Sequence, residues 1–487
     1  MGEETVVSSV SAARDDAAMR PLCVDLDGTL VKSDTLADSL LVLVREQPLQ
    51  AARSPLWLRG GRAAFKAQVA ARVALDVEHL PWNREVLEYL AAQRAVGRKL
   101  YLVTGADASV AQRVADHLGI FDGIVASDGA TNCTGNHKLA SLREQFRTGF
   151  DYIGNARPDG PVLAGCGEAM VANPTWSLRA LVRSGRVPAS RSFDDRAGRG
   201  RSLLRAIRLH QWAKNLLIFV PLLLAHVFRL PALIHAALAF LCFSLCASAT
   251  YIVNDLLDIE ADRRHPKKRL RPFAAGDLSV AAGAAMVAVF LAASFAGATF
   301  LPHSYLGWLV AYLVTTLAYS LRLKRVALVD VLLLSGLYTL RLLAGAAAVD
   351  VRISHWFAGF AIFLFLSLAI VKRFSELQNV QVQGGALANG RGYLLTDIEQ
   401  LRSFGTVSAM ASVVIFTLYI SSGETLGLYR HPGRMWLIVP LLIWWIFRVW
   451  LLASRGELDE DPVIFAVTDR MSLLIWLCVA VIAVLAV

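Results

Sequence analysis

Two hydrophobic patterns divide the chain. Up to about residue 205, short apolar runs alternate with stretches of helical periodicity, whereas from Leu216 onward long apolar segments follow one another across short polar loops. In the first part, Pro21–Val24, Lys99–Val103 and Gly123–Ala126 are short runs, apolar apart from Lys99, bounded by helical patterns. Such runs read as parallel strands buried on both faces. Strands alternating with helices predict an α/β doubly wound domain over residues 20–190. Residues Ser33 to His79 are mostly helical and too long for a simple crossover, so they predict a small helical cap inserted after the first strand. The second part, 206–487, predicts an all-α polytopic membrane domain. Nine segments approach the length needed to cross a bilayer: 215–230, 233–253, 280–300, 304–321, 327–348, 355–371, 404–421, 435–453 and 470–487. The first is the weakest, being short and containing Pro221.

Charge orients this pattern. The loop after the second segment holds Arg263, Arg264, Lys267, Lys268, Arg269 and Arg271, and those after the fourth and sixth hold Arg322, Lys324 and Arg325, then Lys372, Arg373, Arg391 and Arg402. The intervening loops carry few cations. The positive-inside rule places the basic loops and the N-terminal domain in the cytoplasm, and nine crossings put the C-terminus outside. A bacterial plasma membrane is the expected location. The stretch Arg183 to Arg205 is rich in Arg, Ser and Gly, and 191–205 reads as a basic linker drawn to an anionic leaflet. Residues 1–19 have no apolar h-region and read as a disordered leader.

Composition changes the picture little. The chain has 487 residues, 55% hydrophobic, with a formal net charge of +10. The charge sits in loops beside the spans. No aromatic–basic recognition motif appears, so the expected partner is the membrane surface and no nucleic acid. Six cysteines are scattered without metal-ligand or disulfide spacing, which fits a reducing compartment.

Two acidic constellations carry the chemistry. Asp25-Leu26-Asp27-Gly28-Thr29 directly follows the first strand, where ligands of open α/β sheets bind. One carboxylate can attack phosphorus while the other protonates the leaving group and activates water. This motif resembles the first motif of the haloacid dehalogenase (HAD) phosphatase superfamily. The resemblance implies Asp25 as nucleophile and Asp27 as general acid/base, Thr104 as a phosphate ligand and Lys138 as the cation neutralising the transferred phosphoryl group. It also implies Mg²⁺ on Asp25, Asp27, Asn155 and Asp159. Gly154-Asn155-Ala156-Arg157-Pro158-Asp159 departs from the family's Gly-Asp-x-x-x-Asp: Asn155 removes one negative charge, which lowers the expected metal affinity and turnover.

The second constellation is Asn254-Asp255-Leu256-Leu257-Asp258-Ile259-Glu260-Ala261-Asp262, followed by His265-Pro266-Lys267-Lys268 and Arg271-Pro272. Spacings of three and four put the aspartates on one face of a helix. Carboxylates at a membrane surface are costly unless they hold cations, and hard oxygens suit Mg²⁺ with a substrate diphosphate. Asn254, Asp255, Asp258 and Asp262 are therefore the metal-ligand candidates. The pattern resembles the UbiA superfamily of polytopic prenyltransferases. His210–Asn215, Tyr319–Lys324, Lys372–Leu377, Gly390–Tyr393, Asp461-Pro462-Val463 and Asp469-Arg470 resemble its decaprenyl-phosphate phosphoribosyltransferase branch. After the sixth segment, Lys372, Arg373 and Glu376 stand where ordinary members carry a second Asp-rich motif.

That resemblance implies Mg²⁺-dependent transfer of 5-phosphoribose from phosphoribosyl pyrophosphate to a polyprenyl phosphate, with Asp255, Asp258 and Asp262 at the reacting diphosphate. The phosphate-binding candidates are Lys214, Arg263, Lys268, Tyr319, Lys324, Arg341, Lys372 and Arg373. Arg341, mid-segment, faces either a cavity or a buried pairing with Asp330. The phosphatase domain is expected to remove the 5-phosphate from the lipid-linked product. Two other readings are an ordinary prenyltransferase acting on an aromatic acceptor, and a membrane-anchored sensor with a weakened phosphatase fold. A homo-oligomer is among the expected states.

Overall fold

The computed structural model describes residues 20–382, 392–458 and 461–487. The expected leader 1–19 and Gly390 and Arg391 of the Gly390–Tyr393 motif lie outside the described residues. The chain divides into two compact units: one runs to Ile207 and adds Ile252–Met286, and the other comprises Arg208–Tyr251 and Val287–Val487.

The first unit is built on a six-stranded, wholly parallel sheet in the order β3-β2-β1-β4-β5-β6. The strands are β1 Leu22–Val24, β2 Leu100–Asp107, β3 Gly123–Ser127, β4 Asp151–Gly154, β5 Ala169–Ala172 and β6 Ala189–Phe193. The central β1 is inaccessible to solvent, as its unbroken apolar run requires. Helices Thr35–Glu46, Pro48–Trp57 and Gly61–Ala70 form the expected cap. The stretch read as a basic linker carries part of β6 and the helix Arg199–Ile207. Its start continues the sheet because the edge strand needs pairing on one side only, which Arg191 and Ser192 tolerate by facing solvent.

The second unit is helical. Across the chain, seven helices among the described residues are long and apolar enough to cross a membrane: Leu230–Leu257, Val280–Ala298, His303–Leu321, Val329–Ala348, His355–Val382, Leu395–Ser421 and Pro432–Ser454. Pro462–Thr468 and Arg470–Ala486, bent by 74°, make an eighth if taken as one broken span. The expectation of nine is thereby corrected to seven or eight. Segment 215–230 forms a 3₁₀ run, Leu209–Phe219, and a five-residue helix, Val220–Leu224. Pro221 cannot donate in a continuous ladder, so a membrane-length helix does not propagate through it. The expected placement of the C-terminus outside rested on an odd number of crossings, which seven spans keep and eight reverse.

Candidate functional site

In the first unit, the chain leaves β1 through Asp25 and turns sharply at Gly28. Gly28 has φ +77°, and a Cβ there would lie 1.8 Å from the Asn155 amide nitrogen. Only glycine permits both the turn and that approach. The loops beyond the strand ends enclose a cleft of about 1040 Å³ lined by Asp25, Asp27, Lys138, Asn155 and Asp159, among others. Lys138 Nζ donates to Asp25 Oδ1 (2.8 Å), Asp159 Oδ1 (3.2 Å) and the Tyr152 hydroxyl (2.9 Å). Asp27 accepts from the Thr35 amide at 2.7 Å, which ties it to the first turn of the cap.

These surroundings separate the two carboxyls. Burial pushes Asp25 up to about 6, with Lys138 opposing the rise. Burial, then the neighbouring Asp34, pushes Asp27 up to about 8. Burial raises both carboxyls, Asp27 above Asp25, the order that sets an acid apart from a nucleophile.

The other residues singled out here are placed less simply. The Thr104 hydroxyl accepts from the Ala106 amide at 3.0 Å, while Gly105 and Ala106 line the cleft. Asp159 has both oxygens engaged, one by Lys138 and Tyr152, the other by the amides of Asn155 and Ala156. It therefore orients Lys138 rather than facing the cleft free. Among the described residues no three His, Cys, Asp or Glu side chains form a metal cluster. The donors that remain, Asp25, Asp27 and the Asn155 amide, are hard oxygens on one cleft and fit Mg²⁺ by chemistry, with one carboxylate fewer than a full acidic set.

The Asp-rich segment belongs to the same compact unit. It is not one uninterrupted helix. Leu230–Leu257 ends before Asp258, whose φ and ψ are −97° and 13°, and Ile259–Arg264 begins after it. The Asp258 and Asp262 amides still donate four residues back, so the break is a kink that keeps the acids on one side. Arg271 bridges Asp255 (3.1 Å) and Asp262 (2.6 Å), both buried. Two buried carboxylates converging on one cation form a hard-oxygen set that also fits Mg²⁺. Arg263, a phosphate-binding candidate, is instead buried against Asp38 at 2.9 Å and donates to the Ala274 carbonyl. Nothing local in the sequence marks that pairing, because 225 residues separate the partners. Lys268 lies exposed in the 3₁₀ turn Lys268–Leu270.

In the second unit, Lys214 and Lys372 both donate to Asp461 Oδ2, at 2.8 and 2.7 Å, and Tyr338 donates to Asp461 Oδ1 at 3.0 Å. Asp461 also caps the helix Pro462–Thr468. Burial would push its carboxyl up, but Lys372 and Lys214 outweigh that and hold it well below the usual carboxylate range. The site assignment from sequence missed Asp461. Asp461-Pro462-Val463 stood among the motifs resembling the branch, but its N-cap position before Pro462 pointed to a helix start rather than to two lysines. Arg341 does not pair with Asp330. It donates to Asn215 at 2.8 Å and lies over the rings of Phe243, Tyr312 and Tyr338. Asp330 is taken by Arg373 and Tyr319, and Arg373 also holds Glu376 at 2.6 Å. Lys324 lies in the turn Leu323–Arg325.

Comparison with known proteins agrees with this two-part reading. Residues 216–485 match the UbiA prenyltransferase family, and residues 22–163 match the haloacid dehalogenase-like hydrolases. An uncharacterised protein of Sinorhizobium fredii is 38% identical over 95% of this chain and 90% of its own. The decaprenyl-phosphate phosphoribosyltransferase of Mycobacterium tuberculosis is 36% identical over 55% of this chain and 88% of its own. A UbiA homolog from Archaeoglobus fulgidus, solved with GPP and Mg²⁺, shares 18% identity over 58% of this chain and 99% of its own, with a TM-score of 0.46.

Proposed function

Because the chain belongs to the UbiA prenyltransferase family, we propose that its membrane part transfers 5-phosphoribose from phosphoribosyl pyrophosphate to a polyprenyl phosphate, releasing pyrophosphate. The observation that carries this reading is the cluster of Lys214 and Lys372 on Asp461, one carboxylate against two cations. A prenyl diphosphate held on two acidic motifs has no need of such a positive excess; a lipid monophosphate beside a sugar diphosphate does. Asn254, Asp255, Asp258 and Asp262 would hold Mg²⁺, which neutralises the leaving pyrophosphate when bound. Lys214 and Lys372 hold phosphate as point charges. An acceptor phosphate oxygen attacks the anomeric carbon as the bond to pyrophosphate breaks.

The HAD-like unit then removes the 5-phosphate. Asp25 attacks phosphorus, Asp27 protonates the departing 5-oxygen, and Asp27 next takes the proton of the water that opens the aspartyl phosphate. Leu278 and Ala282 form part of the cleft wall. Fusion raises the effective concentration of the intermediate. Both activities are assigned to the cytoplasmic side of a bacterial plasma membrane.

Labelled phosphoribosyl pyrophosphate, polyprenyl phosphate and Mg²⁺ incubated with the full-length protein test this. Labelled lipid is expected, and Asp258→Asn is expected to abolish it. Incorporation of a prenyl diphosphate into an aromatic acid instead would overturn the phosphoribosyl reading.

A further inference from the structure

The cleft of the first unit contains a polar group that phosphoryl transfer leaves unused. Asn173 follows β5 directly, at the carboxyl end of the sheet, and lines the same cleft as Asp25 and Asp27. It is 2% exposed, and neither its Oδ1 nor its Nδ2 has a hydrogen-bond partner. A buried amide left unpaired costs about 1–3 kcal/mol, so such groups call for an explanation. Its backbone is also held at φ +45°, outside the range most side chains adopt. Asparagine tolerates that conformation, but glycine would do so without an amide to bury. The backbone requirement therefore accounts for the turn and not for the side chain.

Neighbouring contacts fix where this amide sits. The Asn173 backbone N–H donates to the Phe193 carbonyl at 2.7 Å, and the Thr175 backbone N–H donates to the Asn155 carbonyl at 2.8 Å. The segment 173–175 is thus pinned beside Asn155, which itself packs on Gly28 of the first motif. Three residues on, Trp176 lines the cleft with its indole 82% exposed.

The chemistry of the unpaired atoms selects a ligand. A phosphate oxygen can only accept, so it would leave Oδ1 unpaired. A cation would leave Nδ2 unpaired. A pair of hydroxyls both donates and accepts and satisfies the whole amide. An exposed indole beside it offers an apolar face to a ring. We infer that Asn173 and Trp176 form a subsite for the hydroxylated, sugar-like leaving group of the phosphomonoester, distinct from the residues that handle phosphorus. The inference rests on the phosphatase reading of this unit and adds to it the residues that hold the sugar being released.

The test uses the purified full-length protein and two soluble probes, ribose 5-phosphate and p-nitrophenyl phosphate, which lacks hydroxyls. Asn173→Gly removes the amide and keeps the backbone conformation. It is expected to lower kcat/KM for ribose 5-phosphate on the order of 10- to 100-fold and to leave p-nitrophenyl phosphate within about twofold. Trp176→Ala is expected to weaken ribose 5-phosphate in the same selective way by several-fold. Equal losses on both probes, or none on ribose 5-phosphate, overturn the subsite. If the unaltered protein cleaves neither probe, the phosphatase reading fails by itself. The subsite is then decided by saturation-transfer NMR: ribose-ring signals from ribose 5-phosphate must appear with the unaltered protein and vanish with Asn173→Gly, and their absence from the unaltered protein overturns it.

Discussion

Two buried charge clusters, one in each unit, are near mirror images. In the first, Lys138 donates to Asp25 and Asp159, so two carboxylates face one cation. In the second, Asp461 accepts from Lys214 and Lys372, so two cations face one carboxylate. Burial alone would push the Lys138 ammonium down and the Asp461 carboxyl up; the paired partners win in both cases, raising Lys138 and lowering Asp461. Burying an uncompensated charge costs free energy, so under the proposed function each residual sign matches what its cluster would receive. The negative excess around Lys138 suits a divalent cation and the phosphoryl group it accompanies. The positive excess around Asp461 suits phosphate alone. Arg263 with Asp38 is the balanced case, one cation on one carboxylate.

The largest effect that could break this comparison is on the nucleophile. Asp25→Asn is expected to reduce phosphomonoesterase activity on the order of 10³-fold or more while lipid labelling continues, so that the 5-phosphorylated lipid accumulates. Unchanged turnover of that lipid would remove the catalytic role of the first cluster. Next is the balanced pair. Arg263→Ala leaves Asp38 buried and uncompensated, and such losses run to about 3–5 kcal/mol. A lowered midpoint of thermal unfolding in detergent is expected, and an unshifted midpoint with lost transfer would return Arg263 to the phosphate-binding set. Third, Lys372→Ala neutralises the excess at Asp461, and transfer is expected to fall by on the order of 10- to 100-fold, from loss of a charge-assisted contact. Phosphatase activity on a soluble monoester should not change. The smallest effect sharpens the charge count. Asn155→Asp adds a carboxylate beside Asp25, and the Mg²⁺ concentration giving half-maximal phosphatase activity is expected to drop about tenfold, roughly one extra charge-assisted contact.

The chemistry-bearing motifs were legible because each is local. Asp25 and Asp27 flank a single turn, and Gly28 supplies the conformation that turn needs. The cap helices declared themselves by periodicity and the central strand by its unbroken apolar run. The short strands β4, β5 and β6, four or five residues each, did not, since their pairing is decided by neighbours distant in sequence. The membrane helices were legible as lengths of apolar chain, but the count was not: Pro221 interrupts the first segment, and the last is a 17-residue helix that counts as a span only together with the short helix before the 74° bend.

By itself, then, the sequence determined the two kinds of architecture, the acidic motifs and the excess of cations that followed them, since composition, period and spacing act over one or two turns. Only the tertiary structure decided which charge meets which. Arg373 takes Asp330, Arg341 turns to Asn215 and three aromatic rings, Arg263 is spent on Asp38, and Asp461 gathers two lysines from 89 and 247 residues away. Electrostatic partners are chosen by distance in space under the cost of burial, and residue spacing along the chain carries no record of that distance.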